Sequence, residues 1–174
     1  MEEKKPLSQY GIGPYYAALV FSMTLGALLL DRAQVLPALR IPALELPMKL
    51  LAAVCVLAAA LLWVNAVFTM NIAGHIRKNE LVTSGAYAWV RNPIYSAIML
   101  LMWGLLSWNG DLLLLLLCPV YHLLMAIMVK HTEEKWLREL YGEAYLDYCK
   151  RVPRCIPWFP KGHGRVSKPQ QHDH

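Results

Sequence analysis

Apolar positions along this chain fall into four long uncharged runs, separated by short polar stretches. Pro14 to Leu30 gives 17 residues without a charge, closed by Asp31-Arg32, and Leu50 to Met70 gives 21. Ile94 to Trp108 gives 15 and Leu112 to Val129 gives 18. A helix crossing a bilayer needs about 20 apolar residues, with a working range of roughly 17–25. The pattern therefore predicts an all-α integral membrane protein with four transmembrane helices, at about residues 14–30, 50–70, 93–108 and 112–129, the third of them short. Asn109-Gly110-Asp111 is a tight polar turn, so the last two helices form a helical hairpin. Pro93, with no N–H and a fixed φ, suits the first turn of the third helix. Asn92 just before it suits the N-cap, its side-chain oxygen accepting from an orphan helix N–H.

After Val129 the period changes. Trp136, Leu137, Leu140, Tyr141, Ala144, Tyr145 and Tyr148 recur at helical spacing, which predicts one amphipathic helix over Glu133 to Arg151, ended by Pro153 and Pro157. Such a helix can lie on a membrane surface, or it can close over a site formed with the middle loop, residues 71–92. Residues 161–174 are rich in Gly, Pro, His and Gln, as disordered tails are. The organisation expected is a transmembrane helical unit (1–132), a cytosolic helix (133–160) and the tail (161–174), with no repeats.

Composition agrees with the pattern. The chain is 57% hydrophobic and only 17% charged, against about 45–50% and about 25% for soluble domains. These figures disfavour a soluble enzyme and exclude intrinsic disorder. The net charge of +5 resembles a nucleic-acid signature only until the charges are placed. Nine of the 17 Lys and Arg residues lie from Lys130 onward, and no groove-reading or stacking element accompanies them, so no nucleic-acid partner is expected. With four spans, Lys4, Lys5, Arg77, Lys78, Arg91 and the basic tail share one side. The positive-inside rule makes that side, and both termini, cytoplasmic. A plasma or bacterial inner membrane is the expected location. The first apolar run is too long for a signal peptide and lacks a small-residue cleavage site. Cys55 and Cys118 sit in apolar runs, and Cys149 and Cys155 fit no zinc or redox spacing, so no metal site is expected.

Polar residues at a membrane boundary are the first place to look for chemistry. The middle loop offers Asn79-Glu80 and then Leu81 to Tyr87, followed by Arg91-Asn92-Pro93-Ile94-Tyr95. The segment after the fourth run offers Lys130, His131, Glu133 and Glu134. Arg91 can also be a snorkelling anchor at the headgroups. His122 lies inside the fourth run, three residues after Pro119, which frees a carbonyl at Leu115 that a neutral His could sit beside.

The run Leu81-Val82-Thr83-Ser84-Gly85-Ala86-Tyr87-Ala88-Trp89-Val90-Arg91-Asn92-Pro93-Ile94-Tyr95 resembles the isoprenylcysteine carboxyl methyltransferase family, whose pattern is LVTSG-x-Y-x-x-x-R-H-P-x-Y. A second block follows at the family's spacing: Glu133-Glu134, then Tyr141-Gly142-Glu143-Ala144-Tyr145-Leu146-Asp147-Tyr148, then Arg151-Val152-Pro153-Arg154. Together the blocks cover residues 79 to about 160. The wider group, with phospholipid N-methyltransferases, shares this architecture and often has Asn in place of the His.

The resemblance implies an S-adenosylmethionine site at the cytosolic boundary. By position, family cofactor contacts fall on Leu81, Val82, Tyr87, Asn92, Pro93, Tyr95 and Glu133, with Arg91 and Asn92 at the reacting end. A carboxylate suits the cofactor's ammonium, and a helix N-terminus or Arg91 suits its carboxylate. The rings of Tyr87 and Tyr95 suit its adenine or sulfonium. Glu134 is the alternative to Glu133, because neighbours on a helix point about 100° apart and only one should face the cofactor. Two substitutions depart from the family: Asn92 stands for His, and Val129 stands for an Arg thought to hold the substrate carboxylate, with Lys130 adjacent.

The expected activity is methyl transfer to a lipophilic acceptor arriving laterally from membrane lipid, an isoprenylcysteine-type carboxylate or a related small amphiphile. A carboxylate or thiolate acceptor arrives charged and needs no base, whereas an amine would need one, with His131 the nearest in sequence. The alternatives are a phospholipid N-methyltransferase, an NAD(P)H-dependent membrane reductase, and a non-enzymatic membrane scaffold.

Overall fold

The computed structural model describes residues 11–69 and 81–157, and among these there are helices and turns but no strand. Six α-helices follow in order: α1 Gly13–Arg32, α2 Glu45–Val64, α3 Pro93–Asn109, α4 Leu117–His131, α5 Glu133–Tyr141 and α6 Glu143–Arg151. Three stretches are long and apolar enough to cross a membrane: Gly13–Arg32, Pro42–Val67 and Leu114–Tyr141. The remaining apolar run, α3, is a 17-residue helix, shorter than all three. The expected tail over residues 161–174, the amino-terminal lysines and the first half of the middle loop lie outside the described residues.

The helix ends differ from the apolar runs for local reasons. The second helix begins well before Leu50, because Pro42–Leu44 form a 3-10 turn and Glu45 then stands in the first turn of α2. An acid there complements the positive helix end, and Lys49 pairs with it at 2.6 Å one turn on. At its far end α2 widens into a π-helical turn, Asn65–Thr69. The fourth helix begins late. Asp111 accepts from the Leu113 amide at 2.9 Å and from the Leu39 amide at 3.0 Å, an Asx-type turn that competes with helix. A 3-10 turn, Leu114–Leu116, precedes α4, so Pro119 falls in the first helical turn and frees no interior carbonyl. The buried Nδ1 of His122 has no hydrogen-bond partner.

α3 sits at the centre, packed against α1, α2 and α4. Its contact with α2 is the most extensive, along a stripe of Met48, Ala52, Cys55 and Ala59. Small residues on that stripe let two backbones approach, which is how helices associate where lipid supplies no hydrophobic drive. Gly104 completes the fit. A Cβ there would meet Val56 Cγ2 at 2.8 Å and the Ala52 carbonyl at 3.2 Å. α1 joins the core through Tyr16, Val20 and Thr24, with Tyr16 donating to the Tyr121 carbonyl of α4 at 3.2 Å. At the hairpin end Arg40 grips the buried Asp31 carboxylate, and Asn109 donates to it at 3.0 Å.

The single helix expected over Glu133 to Arg151 is two helices. Gly142 breaks it with φ 53° and ψ −129°, a conformation that residues with a Cβ avoid. The break lets α6 turn Tyr145, Tyr148 and Val152 into a cluster with Leu81, Leu137, Tyr141 and Cys149. Ala144, expected on that face, is exposed. α6 stops at Arg151, and Val152 is extended (φ −120°, ψ 129°) as a residue before proline should be.

Candidate active site

Both sequence blocks converge at one end of the helices. Residues 153–155 run along the start of α3 and are fastened there by three consecutive carbonyls. Pro153 O accepts from the Arg91 amide at 2.9 Å, Arg154 O from Asn92 Nδ2 at 3.0 Å and Cys155 O from Ser96 Oγ at 2.5 Å. Asn92 thus stands at the N-cap position of α3, but its side chain does not cap the helix as expected. Its Nδ2 goes instead to the Arg154 carbonyl, a part-buried contact between residues 62 apart in sequence. Pro93 is buried at the first helical position.

The loop before α3 is held from three directions. Asn65, in the π-turn, accepts from the Ala86 amide at 2.7 Å. Tyr148 of α6 donates to the Tyr87 carbonyl at 2.6 Å. Leu81 packs under Tyr145 and Tyr148, and Val82 beside it is half-buried.

Glu133 and Glu134, adjacent in the first turn of α5, face different partners. Glu134 is wholly buried and surrounded by arginines. Arg154 forks onto it, Nε to Oε1 at 2.7 Å and Nη2 to Oε2 at 2.9 Å. Arg91 Nη1 lies 3.0 Å from Oε1, and Arg138 lies 3.7 Å from Oε2. Burying a carboxylate is tolerable only with such pairing. Arg91 also donates to Tyr145 at 3.4 Å and to the Cys149 sulfur. Burial, with Glu134 as the second cause, raises the Tyr145 phenol above its ordinary pKa.

Glu133 Oε1 instead accepts the Tyr95 hydroxyl and, at 3.2 Å, the Ile12 amide. Tyr87 belongs to the same neighbourhood. Burial first, and the Glu133 charge second, push its phenol up to about 12. Tyr95 and Glu133 therefore put an aromatic ring and a carboxylate in contact, with Tyr87 near enough to feel the Glu133 charge, a donor set that fits an organic cation carrying an ammonium.

Other candidates stand apart. Val129, in the place of the family's Arg, is wholly buried in the helical core, while Lys130 and His131 are exposed. Among the described residues no cluster of His, Cys, Asp and Glu could hold a metal ion. Sequence reasoning missed the contacts made by Asn65, Arg154 and Ile12. Arg154 was visible as a basic residue closing the second block, and Gly11-Ile12-Gly13 as a turn signal ahead of Pro14.

The described residues thus form helices of membrane-spanning length with a polar site at one end, assembled from these two blocks. The comparisons place the molecule: the phospholipid methyltransferase family model matches residues 46–144, more than half of the 174-residue chain, and the protein belongs to that family. The chain is similar to the protein-S-isoprenylcysteine O-methyltransferase of Mus musculus, 37% identical over 91 residues, which cover 48% of this chain and 29% of that protein. It is similar also to protein-S-isoprenylcysteine O-methyltransferase B of Arabidopsis thaliana, 31% identical over 93 residues (48% of this chain, 44% of that one). The Schizosaccharomyces pombe protein-S-isoprenylcysteine O-methyltransferase is 32% identical over 94 residues (53% and 40%). The match spans less than half the length of each of these relatives. No solved structure matches the chain significantly.

Proposed function

We propose that this protein is an S-adenosylmethionine-dependent methyltransferase of a membrane, acting on a lipophilic acceptor with an isoprenylcysteine-type carboxylate. The observation that carries the reading is the hydrogen bond that joins Tyr95 and Glu133, 38 residues apart. That union brings the two family blocks into one site. The names of the relatives support the carboxylate acceptor, and no observation favours a reductase or a scaffold.

S-adenosylmethionine supplies a methyl group on a sulfonium, open to in-line displacement. Glu133 offers its carboxylate to the ammonium, and the rings of Tyr87 and Tyr95 offer faces to the adenine or sulfonium. Leu81 and Val82 offer backbone groups. Asn92 and Pro93 open α3, whose amino end, with Arg91 beside it, is the positive pole for a carboxylate. Glu134, with both oxygens on arginines, serves in this reading as the anion that anchors that pole. Displacement by a carboxylate needs alignment and exclusion of water more than a base, which fits the exposed position of His131.

In the topology we propose, α3 makes a fourth crossing, shielded by α1 and α2, both termini are cytoplasmic, and the acceptor enters from the bilayer. The test is calorimetry on full-length protein in detergent, titrated with S-adenosylhomocysteine and, separately, with NADPH. Heat of binding is expected from the first alone. Folded protein that gives none overturns the reading. Glu133→Gln should weaken binding by roughly 1.5–3 kcal/mol, the scale of a hydrogen bond to a charged group.

A further inference from the structure

The amino-terminal turn ahead of α1 reaches the site from 121 residues away in sequence. It lies outside residues 46–144, so nothing in the family match accounts for it. Five contacts converge there. The Ile12 amide donates to Glu133 Oε1 at 3.2 Å, and the Tyr95 hydroxyl donates to that same oxygen. Gly13 lies against the Tyr95 hydroxyl, so close that a Cβ would sit 3.6 Å from it. Tyr16, one turn into α1, packs its ring on Tyr95 with centroids 5.9 Å apart. Gly11 passes so near that a Cβ on it would overlap Glu133 Oε1, and its φ of 54° is one that side-chain-bearing residues rarely adopt.

We infer that the Gly11–Gly13 turn is a positioning part of the cofactor site, acting through the carboxylate of Glu133. The inference rests on the reading above, in which Glu133 receives the cofactor's ammonium. Two donors on one oxygen, one from the backbone and one from a phenol, fix the direction in which the carboxylate points. The ammonium then meets an oriented acceptor rather than a side chain free to rotate, and the ordering entropy is spent during folding instead of on binding. The positive end of the α1 dipole lies at the same place and, like the Tyr95 and Ile12 donors, works against the burial that pushes the Glu133 carboxyl up. α1 is thus a wall of the site as well as a membrane-length helix.

The experiment is a double-mutant cycle on full-length protein in detergent, with S-adenosylhomocysteine as the probe and calorimetry as the readout. Gly11→Ala is expected to weaken binding roughly tenfold or more, because the turn can no longer lie on Glu133. Glu133→Gln weakens it on its own. The double variant is expected to bind within about twofold of Glu133→Gln, because both changes remove the same interaction. A merely structural role for Gly11 gives additive losses instead, and that result overturns the inference. Wild-type affinity in Gly11→Ala overturns it too, and so does tighter binding, which would make the turn a barrier to the cofactor. Should Gly11→Ala lose its helical circular dichroism, Ile12→Pro replaces it in the cycle. That variant deletes the donated N–H and keeps the Ile12 carbonyl that accepts from Tyr16. Wild-type affinity in Glu133→Gln marks a different failure, since it removes Glu133 from the cofactor site and the inference with it.

Discussion

Arg154 grips the wholly buried carboxylate of Glu134 with a two-point fork, at 2.7 and 2.9 Å, and so closes the carboxyl-terminal segment onto the first turn of α5. The interaction joins two ends of the second sequence block. Through Arg91, 3.0 Å away, it joins the first block as well.

Removing that charge should therefore damage the fold more than the site. Glu134→Gln leaves Arg91 and Arg154 without their counter-ion, and breaking such a buried pair costs about 3–5 kcal/mol. Thermal unfolding followed by circular dichroism should show the loss. Below the melting transition, S-adenosylhomocysteine should bind Glu134→Gln more tightly than it binds Glu133→Gln. The reverse order would exchange the roles of the two acids. Arg154→Lys, which keeps the charge but not the fork, should cost less.

Tyr95→Phe isolates the hydroxyl from the ring. The ring's packing on Tyr16 survives, so the melting temperature should barely move. The hydroxyl that helps aim Glu133 is gone, and affinity for S-adenosylhomocysteine should fall roughly threefold to tenfold, or about 0.7–1.4 kcal/mol. Unchanged affinity, measured by calorimetry, would leave Tyr95 a core aromatic and nothing more.

The α2–α3 seam makes a prediction independent of chemistry. Gly104→Val places side-chain atoms where Val56 and the Ala52 carbonyl already stand. Backbone cannot retreat as a flexible side chain can, so the variant should lose about 1–3 kcal/mol of stability. Denaturation in mixed micelles would measure it. No loss would mean that α2 and α3 are not packed along this stripe.

What was legible in the sequence was whatever a periodic or local signal encodes. Each of the four apolar runs falls largely in a helix, and three of those helical stretches are long and apolar enough to cross a membrane, where a helix satisfies its own backbone. The turn at Asn109-Gly110-Asp111 and the helix start at Pro93 were equally local. Pairings of residues distant in sequence were not legible. Asn92 carries a good capping side chain, yet its Nδ2 goes to the Arg154 carbonyl, 62 residues away in sequence. The periodicity of Glu133 to Arg151 runs straight through Gly142, since period says nothing about a single residue with positive φ. The divergence of Glu133 and Glu134 follows from helix geometry, but which partner each meets depends on where Arg154 and Ile12 arrive from. Those are tertiary facts with no local trace.

Tyr87 gives the site a pH signature. Burial strips solvent from a phenolate, and the Glu133 charge repels it, so both causes favour the protonated phenol and raise the pKa from 10.0 to about 12. The folded value lies above the unfolded one. The phenol's contribution to stability is therefore fully present below the ordinary tyrosine range and is lost as pH rises through about 12. Near neutrality Tyr87 stays a neutral aromatic face, and cofactor binding should show no dependence on its ionisation. Tyrosinate absorbance, wild type minus Tyr87→Phe, should reveal one phenol titrating near 12. Glu133→Gln should lower that midpoint only in part, because burial is the larger cause. A difference titration centred at the ordinary value of 10.0 would put Tyr87 in water and away from Glu133, and the three-residue site would come apart.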